Sequence, residues 1–193
     1  MFTIEGIIGA GKSTLCNALK KRGYVVAQEP IEKWTVGPHN LLKLYYNHPQ
    51  KYAYLFQMHV LDTLHTANSH PPPGFATFHE RSIRSNAIFS ALQYEMGYMD
   101  DVEYDMYMAR YYKIQQDVRG RIFLDVDVDT AMSRVEKRGR AGEHSITRSY
   151  QERLKEKHDQ WIENEMLPKL IIRGDVRDPN VVDKICTWVQ KYC

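Results

Sequence analysis

Only three of the 193 residues are cysteine. Cys16, Cys186 and Cys193 make an odd count, and their spacing fits no metal-ligand set. Cys16 falls inside an expected helix and reads as a small core residue. The pattern argues against a disulfide-built scaffold and fits free thiols in a reducing compartment. An excess of one charge is also missing. The 26 basic and 24 acidic residues leave a formal net charge of +2. That balance gives no reason to expect nucleic acid as a partner, so anion recognition falls to local clusters of arginine. No apolar run approaches membrane-spanning length, and no leader pattern is visible, because residues 2–6 already read as a core strand. The expected location is the cytoplasm, with no membrane partner. The eight histidines lack the spacing of a zinc site. Internal repeats and low-complexity linkers are absent. The strongest break, Ser69-His70-Pro71-Pro72-Pro73-Gly74, is too short for a domain boundary. Residues 1–193 are therefore expected to form one domain.

What remains is a chain that is 43% hydrophobic and can bury a sizeable core. Short apolar runs at 2–6, 24–28, 75–79, 121–126 and 169–173 read as strands. Helical periodicity covers 12–22, 38–47, 51–68, 82–97, 102–118, 129–138, 147–167 and 179–191. Helices between short apolar strands predict an α/β fold: a central five-stranded parallel sheet with helices on both faces. Ligands of such sheets bind beyond the carboxyl ends of the strands. The residues that follow each strand are therefore the first candidates for chemistry.

After the first strand stands Gly6-Ile7-Ile8-Gly9-Ala10-Gly11-Lys12-Ser13, a full G-x-x-x-x-G-K-[ST] phosphate loop opening a helix. The glycines let backbone N–H groups turn inward onto phosphate oxygens, and the helix N-terminus adds favourable partial charge. Lys12 is expected at the β- and γ-phosphates, Ser13 on Mg²⁺, and Thr14 beside the α-phosphate. The loop announces a nucleoside triphosphate, and a P-loop NTPase-type three-layer fold, without naming the acceptor. After the second strand comes Gln28-Glu29-Pro30-Ile31-Glu32-Lys33-Trp34, and after the third His79-Glu80-Arg81-Ser82. A carboxylate in such a place can take the proton of an attacking hydroxyl. An arginine there can stabilise charge on a transferring phosphoryl group.

Glu29-Pro30 with Trp34, Leu41-Leu42 through Tyr46, Phe56-Gln57, Glu80-Arg81-Ser82, and Arg138-Gly139-Arg140 with Glu143 occur in one order. Together they resemble the deoxynucleoside kinase family, which includes deoxycytidine, deoxyguanosine and mitochondrial thymidine kinases. The resemblance runs from the phosphate loop to the helix ending near Pro168. It implies ATP as phosphoryl donor, Mg²⁺, and a deoxynucleoside as small-molecule acceptor. By the same resemblance, Glu29 is the general base for the 5′-hydroxyl, Arg81 steadies the 5′-oxygen and the phosphates, and Glu80 helps to hold Mg²⁺. Gln57 pairs with the Watson–Crick edge of the base. Tyr46 and Glu143 bind the sugar 3′-hydroxyl, and Ile31 and Trp34 pack on sugar and base. The segment after Ser82 is one residue shorter than is usual in the family. Asn86 takes the base-facing position there, and Phe89 supplies the stacking ring. Leu64 replaces an arginine of the cytidine-preferring members. An apolar side chain leaves room for a thymine methyl and points to pyrimidines, thymidine first.

Arg134, Lys137 and Arg138 precede the loop from Gly139 to Gly142, and Arg140 lies within it. Arg134 and Arg138 share a helix face at i, i+4. This stretch, about 134–145, is similar to the family's arginine-rich lid, whose planar forks suit phosphate oxygens. The segment 173–178 is a candidate for the adenine. The tyrosine-bearing helices near 82–118 resemble those of the family's dimer interface, so a homodimer is expected. Asp125, Asp127 and Asp129 with Glu136 imitate a calcium loop, but Thr130 stands where its glycine belongs. A strand end and a helix N-cap, Asp129, explain them better. Two rivals remain. A thymidylate kinase would need an arginine for the acceptor's phosphate where Gln28 stands. A GTPase-like switch would need an N-K-x-D motif, which the chain lacks.

Overall fold

In the computed structural model, which describes residues 1–68, 77–140 and 142–192, the strand Phe2–Glu5 (β1) lies in the middle of the sheet. Alternate side chains point to opposite faces. Phe2 meets the rings of Phe78 and Trp188. Thr3 and Glu5 are buried around Arg121, whose guanidinium reaches both of them and also Ser82 and Glu165. A charge under a sheet is tolerable when paired and hydrogen-bonded in this way.

The chain continues with α1 (Lys12–Lys21), β2 (Val25–Ala27), a single helical turn at Ile31–Trp34, and a small antiparallel pair, β3 (Thr35–Val36) and β4 (His39–Asn40). Two helices follow, α2 (Leu41–Asn47) and α3 (Pro49–Asn68). Then come β5 (Thr77–Glu80), α4 (Ile83–Glu95), α5 (Asp101–Tyr111), β6 (Gly120–Leu124) and α6 (Val128–Arg138). A turn at Glu143–Ser145, α7 (Arg148–Asn164), β7 (Lys169–Ile172) and α8 (Pro179–Gln190) complete it. The large sheet has the order β2-β5-β1-β6-β7, with every neighbour parallel. Ile4 pairs with both Glu80 and Ile122. The loops after β1 and β5 therefore leave the sheet side by side.

Two apolar cores result. One surrounds the sheet and includes Phe78, Phe123, Leu154 and Ile185. The other joins α2, α3, α4 and α5 through Trp34, Tyr45, Phe56, Leu61 and Tyr107. The fold matches the five-stranded α/β expectation. Several local expectations need correction. The helix expected from residue 38 starts at Leu41, where the Asn40 side chain accepts from the Lys43 N–H. The preceding residues form the short hairpin instead. The helix expected to residue 118 stops at Tyr111. Asp127 rather than Asp129 caps α6, accepting from Thr130 N–H; Asp129 pairs with Arg148. The break at 69–74, the first two residues of the expected strand 75–79, and Cys193 lie outside the described residues. Cys16 and Cys186 are free thiols. No helix among the described residues is long and apolar enough to cross a membrane.

Candidate active site

The phosphate loop joins β1 to α1 and has the backbone its glycines predict. Gly9 has φ +84°, and a Cβ there would stand 2.3 Å from the Ala131 carbonyl oxygen, so only glycine fits against α6. The α1 N-terminus has no side-chain cap, which leaves its first N–H groups for an anion. Lys12 Nζ donates to the Gly6 and Ile7 carbonyls at 3.1 and 2.8 Å. Burial, helped by the nearby Arg81 charge, lowers its pKa to about 7. Such a lysine gains when a phosphate restores its charge. Arg134 donates to the Ala10 carbonyl at 3.1 Å and so sits on the loop.

β5 delivers the second group. Glu80 ends the strand, and Ser13 Oγ donates to its Oε1 at 2.6 Å. These adjacent oxygens, beside the loop that holds phosphates, are the donor type that Mg²⁺ takes. Arg81 then adopts φ +68°, a left-handed backbone for a non-glycine residue. Such strain costs about 1–3 kcal/mol and is held only where the surroundings enforce it. Here the Arg81 N–H donates to the Ile4 carbonyl, and Nη1 donates to the Gly6 carbonyl and to Ser85 Oγ. The guanidinium also lies over the Phe89 ring at 4.7 Å. Its Nε stands 3.0 Å from Glu29 Oε1, whose side chain is 14% exposed. Burial pushes the Glu29 carboxyl up against the pull of Arg81.

From this point a cavity of about 560 Å³ runs between the two cores. Trp34, Tyr46, Gln57, Leu64, Asn86 and Phe89 all line it, with Glu29, Arg81 and the loop at one end. Phe56 backs the wall, stacked on Tyr45 and edge-on to Trp34. Arg138 and Arg140 reach the rim and bond Glu143. Gly142 packs against the Tyr46 ring, where a Cβ would come within 2.8 Å. Thus the arginine segment and the cavity wall share a boundary. The 173–178 candidate is met in part, since Asp175, Val176 and Arg177 line the same space.

Three expected residues do not line it. Gly6 contributes its carbonyl to Lys12 and Arg81, and Ala10 is buried behind the loop. Ile31 packs on the helical core from the single turn after Pro30. Beyond the phosphate loop, six lining residues have no role in the sequence analysis: Leu42, Tyr45 and Phe56, which lie within its family-like motifs, and Val60, Gln93 and Tyr150. Helical spacing could have found two of them, because Val60 lies between Gln57 and Leu64 and Gln93 is seven past Asn86. The calcium-like aspartates are used elsewhere. Asp125 pairs with Lys155 and Arg173, and Asp127 caps α6. Gln28, where a monophosphate-binding arginine would stand, bonds Lys20 and Asn17 instead.

Comparison with known proteins agrees with this architecture. A family model described as deoxynucleoside kinase matches residues 2–193. The probable deoxycytidine kinase of Fowlpox virus (strain NVSL) is 35% identical over 90% of this chain and 78% of that one. Deoxycytidine kinase 2 of Gallus gallus is 30% identical over 83% and 72%. The deoxyguanosine kinase of Lactobacillus acidophilus is 28% identical over 92% and 82%. Among solved structures, a deoxyadenosine kinase from M. mycoides with the products dCMP and a flexible dCDP bound superposes with a TM-score of 0.84. It covers 98% of both chains at 24% identity, a likeness of fold. With the phosphate loop, the Glu29–Arg81 pair and the cavity beside them, the chain belongs to the deoxynucleoside kinase family.

Proposed function

We propose that this kinase moves the γ-phosphoryl group of ATP to the 5′-hydroxyl of a deoxyribonucleoside, with thymidine favoured. The observation that carries the reading is the Glu29–Arg81 contact of 3.0 Å, where the cavity meets the phosphate loop. Glu29 takes the 5′-hydroxyl proton as that oxygen attacks the γ-phosphorus, and the bond to the ADP oxygen breaks. A carboxyl whose pKa is raised by burial is the better proton acceptor for this task. Arg81 and Lys12 stand against the charge of the transferring group, and Arg134, Arg138 and Arg140 cover the phosphates from the lid. Ser13 and Glu80 would hold Mg²⁺, which when bound neutralises phosphate charge.

In the cavity, Tyr46 and Glu143 take the 3′-hydroxyl, Trp34 and Phe89 bracket sugar and base, and Gln57 and Asn86 face the base edge. Leu64 favours a pyrimidine with a methyl group over one needing a charged partner. Exposed apolar side chains on α5, Val102 at 66% and Met106 at 55%, support a homodimer through α4 and α5. The free thiols suit a reducing, cytoplasmic setting. The test is ADP release and 5′-phosphate formation with ATP, Mg²⁺ and each of the four deoxynucleosides, with thymidine 5′-monophosphate alongside. Turnover with a free nucleoside, thymidine best, is expected. Preference for the monophosphate would overturn the reading.

A further inference from the structure

Tyr107 is fully buried on α5 and does not itself line the cavity, yet two hydrogen bonds connect it to the cavity wall. Its hydroxyl donates to Asn86 Oδ1 at 2.5 Å, and Asn86 Nδ2 donates to Gln57 Oε1 at 2.5 Å. All three residues are at most 3% exposed. The direction of this chain matters, because an amide presents a donor on one side and an acceptor on the other. Burial raises the Tyr107 pKa, so the phenol keeps its proton. Its one hydrogen-bond partner among the described residues is Asn86 Oδ1, which takes the phenol proton. Asn86 must then turn its NH₂ to Gln57, and Gln57 must turn its carbonyl to Asn86.

This order presents three groups in a row: the second N–H of Asn86 Nδ2, the remaining lone pair of Gln57 Oε1, and Gln57 Nε2. The row reads donor, acceptor, donor. The edge of thymine reads acceptor, donor, acceptor, through O2, N3–H and O4. Cytosine replaces two of these with an acceptor at N3 and a donor at N4. Adenine offers a donor at N6 and an acceptor at N1.

We propose that Tyr107 is a positioning residue that fixes the amides of Asn86 and Gln57 in the orientation complementary to a thymine edge, and so selects against bases with an amino group there. This rests on the proposed reading of the cavity as the deoxynucleoside site. It is independent of Leu64, because deoxyuridine, which lacks the methyl, presents the same edge. Without the Tyr107 proton, both amides can turn over together. Gln57 can then read either pattern.

The experiment measures kcat/KM with ATP for thymidine, deoxyuridine, N3-methylthymidine and deoxycytidine. The intact chain is expected to favour thymidine over deoxycytidine by about 100-fold or more, and to reject N3-methylthymidine. Tyr107→Phe should lower the thymidine-to-deoxycytidine ratio about tenfold, at a thermal midpoint that shows a folded protein. Asn86→Asp keeps the shape but offers only acceptors. It forces Gln57 to turn its Nε2 inward and should reverse the preference towards deoxycytidine. Gln57→Leu should abolish the discrimination. If Gln57→Leu leaves the ratio intact, the base is read elsewhere and the underlying site reading falls. If that variant abolishes the ratio while Tyr107→Phe and Asn86→Asp leave it unchanged, or lower both substrates in parallel, the relay is wrong and the site reading stands.

Discussion

Arg138 and Glu143 grip each other across the loop after α6, with hydrogen bonds of 3.0 Å from Nε and 2.6 Å from Nη2 to the two carboxylate oxygens. Glu143 is buried, and Arg138 is its partly exposed partner. The pair ties the arginine segment to the wall that holds Tyr46. In the proposed mechanism the same carboxylate receives the sugar 3′-hydroxyl. Nucleoside entry then competes for Glu143 and frees guanidinium groups for phosphate.

Glu143→Gln should therefore cost about ten- to a hundredfold in kcat/KM on thymidine, the range for a hydrogen bond to a charged group. On 2′,3′-dideoxythymidine, which has no 3′-hydroxyl to bind, the loss should be much smaller. Steady-state kinetics on the two substrates make the comparison. Equal losses would mean that the carboxylate serves the lid alone.

Lys12 gives a pH dependence with a definite sign. Its pKa in the free protein is about 7, against 10.5 for an ordinary lysine. Bound phosphate favours the charged form and raises it again. Between the two values, ATP binding takes up a proton. Affinity should be level below pH 7 and fall as pH rises above it, by up to about tenfold per unit. Titration calorimetry at pH 8 in two buffers of different ionisation enthalpy measures the uptake directly. Identical heats in both buffers would contradict it.

Two histidines set an acid limit. His79 and His158 are buried, with Nδ1 and Nε2 respectively lacking partners. Burial lowers their pKa values to about 4 and about 3. The unfolded chain binds protons below pH 6.5 that the native chain refuses until much lower. Stability therefore falls as pH drops through that window. At pH 5 the loss is on the order of 2 kcal/mol for each histidine. The thermal midpoint should fall by roughly 10 °C between pH 7 and 5. A chain carrying His79→Gln and His158→Gln should keep a flatter profile. An equally steep profile in that double variant would assign the acid limit to other groups.

The readable parts of the sequence were contiguous or helically periodic. Gly6 to Ser13 declared the phosphate loop because every residue of that motif is adjacent in the chain. Gln57 and Leu64 could be placed together because one helix carries them at i, i+7. The β3–β4 pair was hidden because two residues per strand hold no alternation to detect. The apolar spacing runs on past the end of α5 at Tyr111, because Ile114 joins the helical core from outside the helix. The family resemblance points Ile31 at the sugar and base, whereas the single turn after Pro30 packs it on the helical core. The Tyr107–Asn86–Gln57 chain was invisible for a different reason. Its members come from three helices and meet only after α3, α4 and α5 have packed.

The central claim is that Glu29 takes the proton of the acceptor hydroxyl beside the phosphate loop. Glu29→Gln keeps the size of the side chain and removes the proton acceptor, so ATP affinity should stay within about twofold while turnover on thymidine falls about 10²- to 10⁴-fold. Single-turnover transfer from γ-labelled ATP to thymidine, read beside an ATP-binding titration of the same variant, makes the measurement. Near-full transfer by Glu29→Gln would contradict the account.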